Sequence, residues 1–439
     1  MAESNIKNLR LVNHQLAILF QPDVFRKLVI RISELDMETA VSQLTDLELL
    51  AATDSHPART LTRELVVKQI ELSDEALKKR LLACLGPAIS ALSRIVMFCA
   101  EWDWGHIPDS IRPIVFKSLR HQLQSLTEIL VRDPYSDAGW GPLLFEDPSQ
   151  FRGLNSLSVA GIKEVAVWEN IVRVAASIAP LVSLMIVELQ LSMAETQRFD
   201  IWEALMNSGI WLQDISTDHL RSSLVKYLSS YSGVLKRLSI VHFQSYWDPK
   251  VLETSHLLSE MASRFFVEVL PLHAATVKHL TLQVNHSTWG TWWFGKETAG
   301  PIRDLKFPQL EHFIIGTFVE DLEVISPERQ DYLRLLVDTV LRPQYFPSIK
   351  VLETLHVMEY EPLMGTPTYD QQDREDAVAN SKIRSYRFAS DEITLQKLCF
   401  YGNRVMAQKW QPRVGEDGLI WFDGPIQEGY HIWYTMHLK

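Results

Sequence analysis

Two histidines offer the most suggestive chemistry in the sequence. His279 and His312 each stand directly before an apolar residue that opens a short alternating pattern, at Leu280 and Phe313. If these patterns are neighbouring strands of a parallel sheet, the two imidazoles lie roughly 5 Å apart, which is the spacing between strands. Such a pair could bind a metal ion or form a contact that changes with pH. The alternative is two neutral surface histidines, which the lack of an evident third ligand favours.

A second group of candidate residues consists of carboxylates in the polar segment 359–381. Glu359 and Glu361 form an acidic pair. Four more carboxylates follow: Asp370, Asp373, Glu375 and Asp376. The ligand spacing and the glycine of a calcium-binding loop are absent. We therefore interpret the segment as a flexible insertion in solvent.

The usual catalytic motifs are also missing from the sequence. It contains no P-loop, no G-x-S-x-G turn and no H-E-x-x-H pair. An enzyme with an unfamiliar site is the weakest of the interpretations that we consider. The sequence predicts a protein that is not an enzyme and that needs no cofactor and no metal.

Aromatic residues cluster twice in the second half of the chain. Trp289, Trp292 and Trp293 lie in a glycine-flanked segment after the pattern at Leu280. Exposed tryptophans typically anchor protein interfaces, and packing over the edge of a sheet is an equal alternative. The second cluster, in residues 406–439, alternates as strands do and predicts a C-terminal β cap.

The elements that must position these residues form a repeat. An apolar residue, two others, an apolar residue, one other and a third apolar residue recur, and the alternation predicts strands with one buried face. The copies are Leu92-Ile95-Met97, Leu126-Ile129-Val131, Leu154-Leu157-Val159, Leu181-Leu184-Ile186, Leu235-Leu238-Ile240, Val277-Leu280-Leu282, Leu310-Phe313-Ile315, Leu352-Leu355-Val357 and Leu395-Leu398-Phe400.

Amphipathic helices are predicted before several of these strands. They stop at Gly86-Pro87, Pro180, Gly233 and Pro271, while residues 216–218 and Ser326-Pro327 are expected to open two of them. The units repeat at roughly 27 to 43 residues, and one longer gap, between Leu181 and Leu235, could hide a further copy.

Stacked helix–strand units predict the fold class. We expect an α/β fold that is an irregular leucine-rich-repeat solenoid over residues 33–405, with parallel strands on the concave side and helices outside. An ordinary α/β domain is the alternative, but no glycine-rich phosphate turn follows any strand.

Residues between the buried strand positions are expected to form the concave face. That face is mixed in polarity and short on charge, which suits the recognition of proteins better than that of phosphates. The residues that we expect to bind a partner there are Arg237, His279, Thr281, His312, His356 and Tyr401, and Thr354 lies among them.

Composition limits the classes of partner. The 439 residues carry a formal net charge of −11, and nucleic-acid binding instead needs a basic surface. No uninterrupted apolar run reaches membrane-spanning length, and the first residues lack the apolar core of a signal peptide. Three cysteines suggest no disulfide framework. We expect a soluble cytoplasmic or nuclear protein that binds neither nucleic acid nor membrane.

The N-terminal segment carries a family resemblance. A helical pattern ends before Pro22 and leads through Phe25 into a strand at residues 28–32. Leu9-Arg10-Leu11-Val12 resembles the "LR.VCR.W" helix of the F-box, and Pro22 with Phe25-Arg26 resembles its "P.LFR.L.I" continuation. The passage into leucine-rich repeats is similar to the divergent F-box/leucine-rich-repeat proteins that are abundant in fungi. The Leu-Pro motif and first helix that open the family's F-box are not in this sequence.

The resemblance implies a substrate-recognition subunit of a Skp-cullin-F-box ubiquitin ligase. In this hypothesis residues 1–32 dock a Skp-type adaptor, and the repeats hold an unknown substrate protein. The adaptor-binding residues that the resemblance implies are Leu9, Leu11, Val12, Leu16, Pro22 and Phe25. The alternatives are that residues 1–32 are a cap of the solenoid, and that the chain is a stand-alone scaffold without a link to ubiquitin.

Overall fold

The structure is a computed structural model, and it describes most of the chain in separate ranges. These are residues 21–101, 110–120, 122–132, 148–162, 164–187, 196, 198–218, 220–242, 251–284, 292–317, 330–356, 369–389, 393–401 and 407–427.

The chain divides into two compact units, unit 1 at Met1–Leu212 and unit 2 at Gln213–Lys439. In unit 1 six strands pair in parallel, each with the next along the chain. They are β1 Lys27–Ser33, β2 Glu64–Glu71, β3 Met97–Glu101, β4 Glu128–Arg132, β5 Ser156–Ala160 and β6 Ser183–Val187. The helices of unit 1 are α1 Met37–Ala52, α2 Ala58–Leu61, α3 Glu75–Ala91, α4 Arg112–Leu119, α5 Val165–Ser177 and α6 Ile201–Asn207, with short 3-10 turns at Glu34–Asp36 and Pro148–Gln150.

Unit 2 continues the pattern of parallel strands and ends with a reversal. The strands are β7 Asp214–Thr217, β8 Arg237–His242, β9 His279–Val284, β10 His312–Thr317, β11 Val351–His356, β12 Phe388–Ala389, β13 Lys397–Tyr401, β14 Ala407–Val414 and β15 Leu419–Gln427. Strands β7 to β11 and then β13 pair in parallel; β14 and β15 form an antiparallel hairpin against β13, and β12 pairs with β15. The helices are α7 Ser222–Ser229, α8 Val251–Arg264, a π-helix Phe265–Val269, α9 Leu270–His273, α10 Ala299–Asp304, α11 Tyr332–Val340 and α12 Tyr369–Ser385.

In-register pairing converts the sequence repeat into rows of side chains. Equivalent apolar residues of β8 to β11 and β13 stand beside one another and are no more than 2% exposed: Leu238, Leu280, Phe313, Leu352 and Leu398. An apolar row of this kind also runs through unit 1: Leu65, Phe98, Ile129, Leu157 and Leu184. Parallel strands joined by helices place the helices over one face of the sheet. The predicted α/β fold of the leucine-rich-repeat type is confirmed.

Two of the predicted repeats have the wrong frame, which means that their three core positions are assigned to the wrong residues. In β3, pairing places Phe98 in the core row between Leu65 and Ile129, so the pattern is Ile95-Phe98-Ala100 rather than Leu92-Ile95-Met97. In β11 the pattern is Ile349-Leu352-Thr354 rather than Leu352-Leu355-Val357. Both stretches contain extra apolar residues, so the spacing fits two frames, and only the pairing of the strands decides between them.

The long gap between Leu181 and Leu235 contains a further copy of the repeat. Its pattern is Leu212-Ile215-Thr217, and these three residues are at most 2% exposed. Residues 216–218 were expected to cap a helix, but Ser216 and Thr217 belong to β7, and α7 begins only at Ser222. A threonine in the third core position hides this copy from a search for apolar residues.

Two prolines that were expected to end helices do not end them. Helix α3 passes through Pro87 to Ala91, because Ala88 and Ile89 of its last turn are buried. The lost backbone hydrogen bond is offset by that packing. Pro271 lies in the first turn of α9, where a missing N–H costs little, so the helical path continues through the π-helix to His273. Helix α11 starts at Tyr332 behind the cap of Asp331, and the predicted start at Ser326-Pro327 falls outside the described residues.

The segment that was expected to be a flexible insertion is partly helical. Helix α12 covers Tyr369–Ser385, with Ala379 and Ile383 fully buried. The prediction of a loop is wrong from residue 369 onward; residues 359–368 are outside the described ranges. The few apolar residues of α12 are spaced too widely to show a helical period against its polar background.

The two ends of the predicted solenoid are positioned by strand pairing. Strand β1 pairs with β2, so residues 27–33 belong to the sheet rather than to a separate N-terminal segment. At the other end the β14–β15 hairpin lies in the range of the predicted C-terminal cap, with Trp410 and Phe422 buried. None of the helices within the described ranges is long and apolar enough to cross a membrane.

Loss of the Ile215 side chain should test whether the hidden repeat is part of the core. Ile215 is 2% exposed, so Ile215→Ala is expected to lower the free energy of unfolding by about 2–5 kcal/mol. Ser216→Ala, on the opposite face of the same strand, is the matched control and should cost less than about 0.5 kcal/mol. Urea denaturation measures the free energy of unfolding of both variants. If both lose the same small amount of stability, β7 contributes no residue to the core.

Candidate functional site

The candidate site lies on the open face of unit 2, which we define as the sheet face opposite the apolar row of Leu238, Leu280 and Phe313. The first open-face position of successive strands is polar in four of five cases. Pairing places these residues side by side: Arg237, His279, His312, Val351 and Lys397. Two residues further along each strand, the second open-face position is occupied by Ser239, Thr281, Ile314, Glu353 and Cys399. The site is therefore a consequence of strand register rather than of any single motif.

A hydrogen-bonded cluster lies at the centre of this face. Nε2 of His312 lies 3.2 Å from Oε1 of Glu353, and the Tyr401 hydroxyl donates to Oε2 of Glu353 over 2.9 Å. Since an ionised carboxylate only accepts hydrogen bonds, Nε2 of His312 acts as the donor. The ring of His312 is thus held in one orientation by a carboxylate from the next strand.

The Glu353 carboxylate is buried yet ionised. Burial by itself raises the pKa of the carboxyl group, but the hydrogen bonds from His312 and Tyr401, with the charge of Lys397, bring that pKa below its ordinary value. The residue is only 6% exposed. A buried carboxylate that accepts these two hydrogen bonds fixes the orientation of the groups that donate to it.

The predicted proximity of His279 and His312 is found in the structure. Their residues pair across β9 and β10, and the ring centroids lie 6.1 Å apart at an interplanar angle of 69°. Burial lowers the pKa of His279, and repulsion from His312 and Arg237 lowers it further. Within the described ranges, no three His, Cys, Asp or Glu side chains are grouped as a metal site would require.

Charged side chains at the rim of the open face form two ion pairs. Arg237 contacts Asp214 through Nε at 3.2 Å and through Nη2 at 3.4 Å, although 59% of its side chain stays exposed. Lys350 contacts Glu311 at 2.5 Å, with 51% of its side chain exposed. Exposed ion pairs contribute little stability, so their main effect is to fix charge at defined places on the face.

Two of the predicted contact residues are too buried to meet a partner directly. Thr281 is 8% exposed and Tyr401 is 1% exposed. Both lie on the predicted face, but neighbouring side chains cover them, and Tyr401 acts through Glu353. The prediction that they contact a partner is therefore wrong.

His356 is the last residue of β11, and its side chain lies outside the part of the chain that the structure describes. The corrected frame of β11 places Thr354 in the core, where it is completely buried against Thr317. The same change of frame places Glu353 on the open face. The only signal for Glu353 in the sequence is the alternative pattern that starts at Ile349.

The predicted tryptophan anchors are mainly packing residues. Trp292 is fully buried, its indole N–H donates to the carbonyl of Leu258 over 3.0 Å, and it packs against Phe265. The prediction that Trp292 anchors a partner is wrong, because no surface of its ring is accessible. Trp293 is half-buried and its carbonyl accepts a hydrogen bond from Thr298, while Trp289 lies outside the described residues.

Only part of the predicted adaptor-binding segment is described. Pro22 is exposed and lies in a short helical stretch, residues 21–25. Phe25 is half-buried; its carbonyl accepts a hydrogen bond from the Thr62 hydroxyl at 2.9 Å, and its ring meets that of His56 edge-on at 5.8 Å. The other four predicted residues lie outside the described ranges: Leu9, Leu11, Val12 and Leu16.

Comparisons with known proteins give a likeness among solved structures and none among families or curated proteins. No protein-family model matches the chain, and no curated protein matches it. Among solved structures, the chain is similar to one described as "Crystal structure of Rad7 and Elc1 complex in yeast", with a sequence identity of 12% and a TM-score of 0.42. The likeness covers 86% of this chain and 90% of that chain.

Removal of the Tyr401 hydroxyl should test the cluster around Glu353. Tyr401→Phe leaves a buried carboxylate with one hydrogen bond fewer, and we expect it to lower the free energy of unfolding by about 1–3 kcal/mol at pH 7. Because the folded-state pKa of Glu353 lies below its ordinary 4.5, this contribution is present above about pH 4.5 and is lost as the pH falls through the folded pKa.

Denaturation of both forms at pH 7 and near pH 4 measures this loss. Tyr345→Phe is the matched control, since the Tyr345 hydroxyl has no hydrogen-bond partner within the part of the chain that the structure describes. A loss that stayed the same at both pH values would mean that the hydroxyl acts through packing and not through the carboxylate.

Proposed function

We propose that this chain is a non-catalytic receptor that binds another protein through the open face of unit 2. The observation that carries the proposal is the row of polar side chains that neighbouring carboxylates hold in place while part of their surface stays exposed. The Arg237 side chain is 59% exposed and that of His312 is 33% exposed. Their partners, Asp214 and Glu353, come from adjacent strands of the same rigid sheet.

The chemical character of this face favours a protein ligand. Arginine is enriched where proteins meet, and groups that are ordered before binding lose less conformational entropy when a partner docks. The face sets charged residues beside the partly exposed apolar residue Val351. Its carboxylates are paired with basic side chains, and this pairing fixes where charge is presented to a partner.

A finer proposal is that the chain is an F-box-like substrate receptor of a Skp-cullin-F-box ubiquitin ligase, acting in the cytoplasm or nucleus. It is supported by the resemblance of residues 6–32 to the second half of an F-box and by the exposure of Pro22. In this role the chain would supply no chemistry of its own. It would hold a substrate protein near the transfer machinery and raise the local concentration of its lysines.

A stand-alone scaffold is the second candidate, and a specific observation favours it. Strand β1 continues the sheet without a break, and the carbonyl of Phe25 is bound by Thr62. Residues 21–33 are thus part of the first repeats, as expected of a cap that shields the end of a repeat array. In this case the open face binds a protein, and no adaptor binds residues 1–20.

Selection from a random peptide display library on the full chain tests the receptor proposal. We expect enriched peptides whose affinity falls roughly tenfold with Arg237→Ala, because a partly exposed arginine in an ordered row is a typical binding hot spot. Lys226→Ala is the matched control, since Lys226 is an exposed basic residue on α7, and it should leave the affinity unchanged. Peptides that bind equally to both variants, or no enrichment by the folded chain, would contradict the proposal.

Binding to a purified Skp-type adaptor separates the two candidates. If the F-box-like proposal holds, the full chain binds the adaptor, and Leu11→Glu combined with Leu16→Glu weakens binding by roughly tenfold or more. Leu35→Glu is the control, because Leu35 is 92% exposed and lies outside the resembling segment. Point variants are preferable to deletion of residues 1–31, which would remove most of β1. Failure of the folded wild-type chain to bind would leave the scaffold as the working model.

A further inference from the structure

His279 differs from Arg237, His312 and Lys350 in that no carboxylate of the described residues forms an ion pair with it. Arg237 has Asp214, His312 has Glu353 and Lys350 has Glu311. His279 stands between Arg237 and His312 in the same row, and its imidazole makes no hydrogen bond to any residue that the structure describes. The row therefore contains one half-buried imidazole whose two neighbours are already paired.

The charges around His279 come from both adjacent strands. Arg237 on β8 and His312 on β10 disfavour a proton on the imidazole, and Glu311 and Asp214 favour one. Together with burial, the repulsion outweighs the attraction and lowers the pKa of His279. His279 thus stays neutral near neutral pH, and a carboxylate placed against it would reverse that balance.

The rim beside His279 carries further positive charge. Lys236 and Lys278 occupy the positions directly before Arg237 and His279, and both are exposed. The chain has a net charge of −11, so this concentration of basic groups is a local exception. A partner that carries carboxylates is complementary to this local positive charge.

We infer that the open face accepts an acidic protein segment, one carboxylate of which lies against His279 between Arg237 and His312, and that binding places a proton on that imidazole. The inference rests on the proposed receptor function and specifies the chemistry of its partner. The proton is taken from solvent, and the product is an imidazolium–carboxylate pair. Binding is therefore coupled to pH through a histidine that has no ion-pair partner among the described residues.

Calorimetry of the full chain with two matched peptides tests this inference. One probe is an acetylated and amidated octapeptide of alternating Glu and Gly; the other has Gln in place of Glu. We expect the Glu peptide to bind about fivefold more tightly at pH 6.0 than at pH 7.5, and about tenfold more tightly than the Gln peptide at pH 6.0. Glu stays ionised over this range, so the pH effect belongs to the protein. Buffers of different ionisation enthalpy report the proton uptake directly.

His279→Asn is the decisive variant, because asparagine retains a polar side chain that does not titrate. It should abolish the pH dependence and the proton uptake, while His56→Asn, in unit 1, should preserve both. Thermal melting confirms that each variant is folded. Three results would overturn the inference: no binding of the Glu peptide, a pH dependence that survives His279→Asn, or tighter binding of a single-stranded oligonucleotide of eight residues. If display-selected peptides bind the same face but are not acidic, the receptor proposal stands and this inference fails.

Discussion

The in-register pairing of parallel strands is the constraint on which the whole structure depends. Side chains alternate between the two faces of a strand, so a slip of one residue would move every core residue to the open face. Pairing of Leu238, Leu280 and Phe313 prevents such a slip, because these residues are buried almost completely. The same pairing aligns Arg237, His279 and His312 one position earlier. The polar row is ordered because the apolar row beside it is packed.

Much of this arrangement follows from the sequence alone. The patterns at Leu280 and Phe313 have one possible frame each, and they predict β9, β10 and the neighbouring histidines. The stretch around Leu352 has two frames, because Ile349 and Leu355 are both apolar. The spacing of the apolar residues is the same in both frames. Only pairing with β10 and β13 selects the frame that brings Glu353 to the open face.

Other features depend on contacts between residues that are far apart in the sequence. Trp292 and Trp293 are adjacent and chemically identical, yet the first is buried against Phe265 and the second is half-buried. No local pattern distinguishes them. Thr217 is equally ambiguous, since a threonine at a core position looks like a surface residue until its strand is paired. Residue type predicts which side chains can do chemistry, and tertiary packing decides which of them are accessible.

The reversal of chain direction at β14 has a consequence for assembly. A stack of parallel strands can in principle be extended by any further strand, including one from another molecule, as happens when edges polymerise. In unit 2 the sequence of strands beyond β13 is β14, β15 and then β12, and β12 is only two residues long. An incoming strand would find few backbone groups to pair with there. The hairpin thus terminates the sheet by geometry and protects this end of the array against uncontrolled growth into fibres.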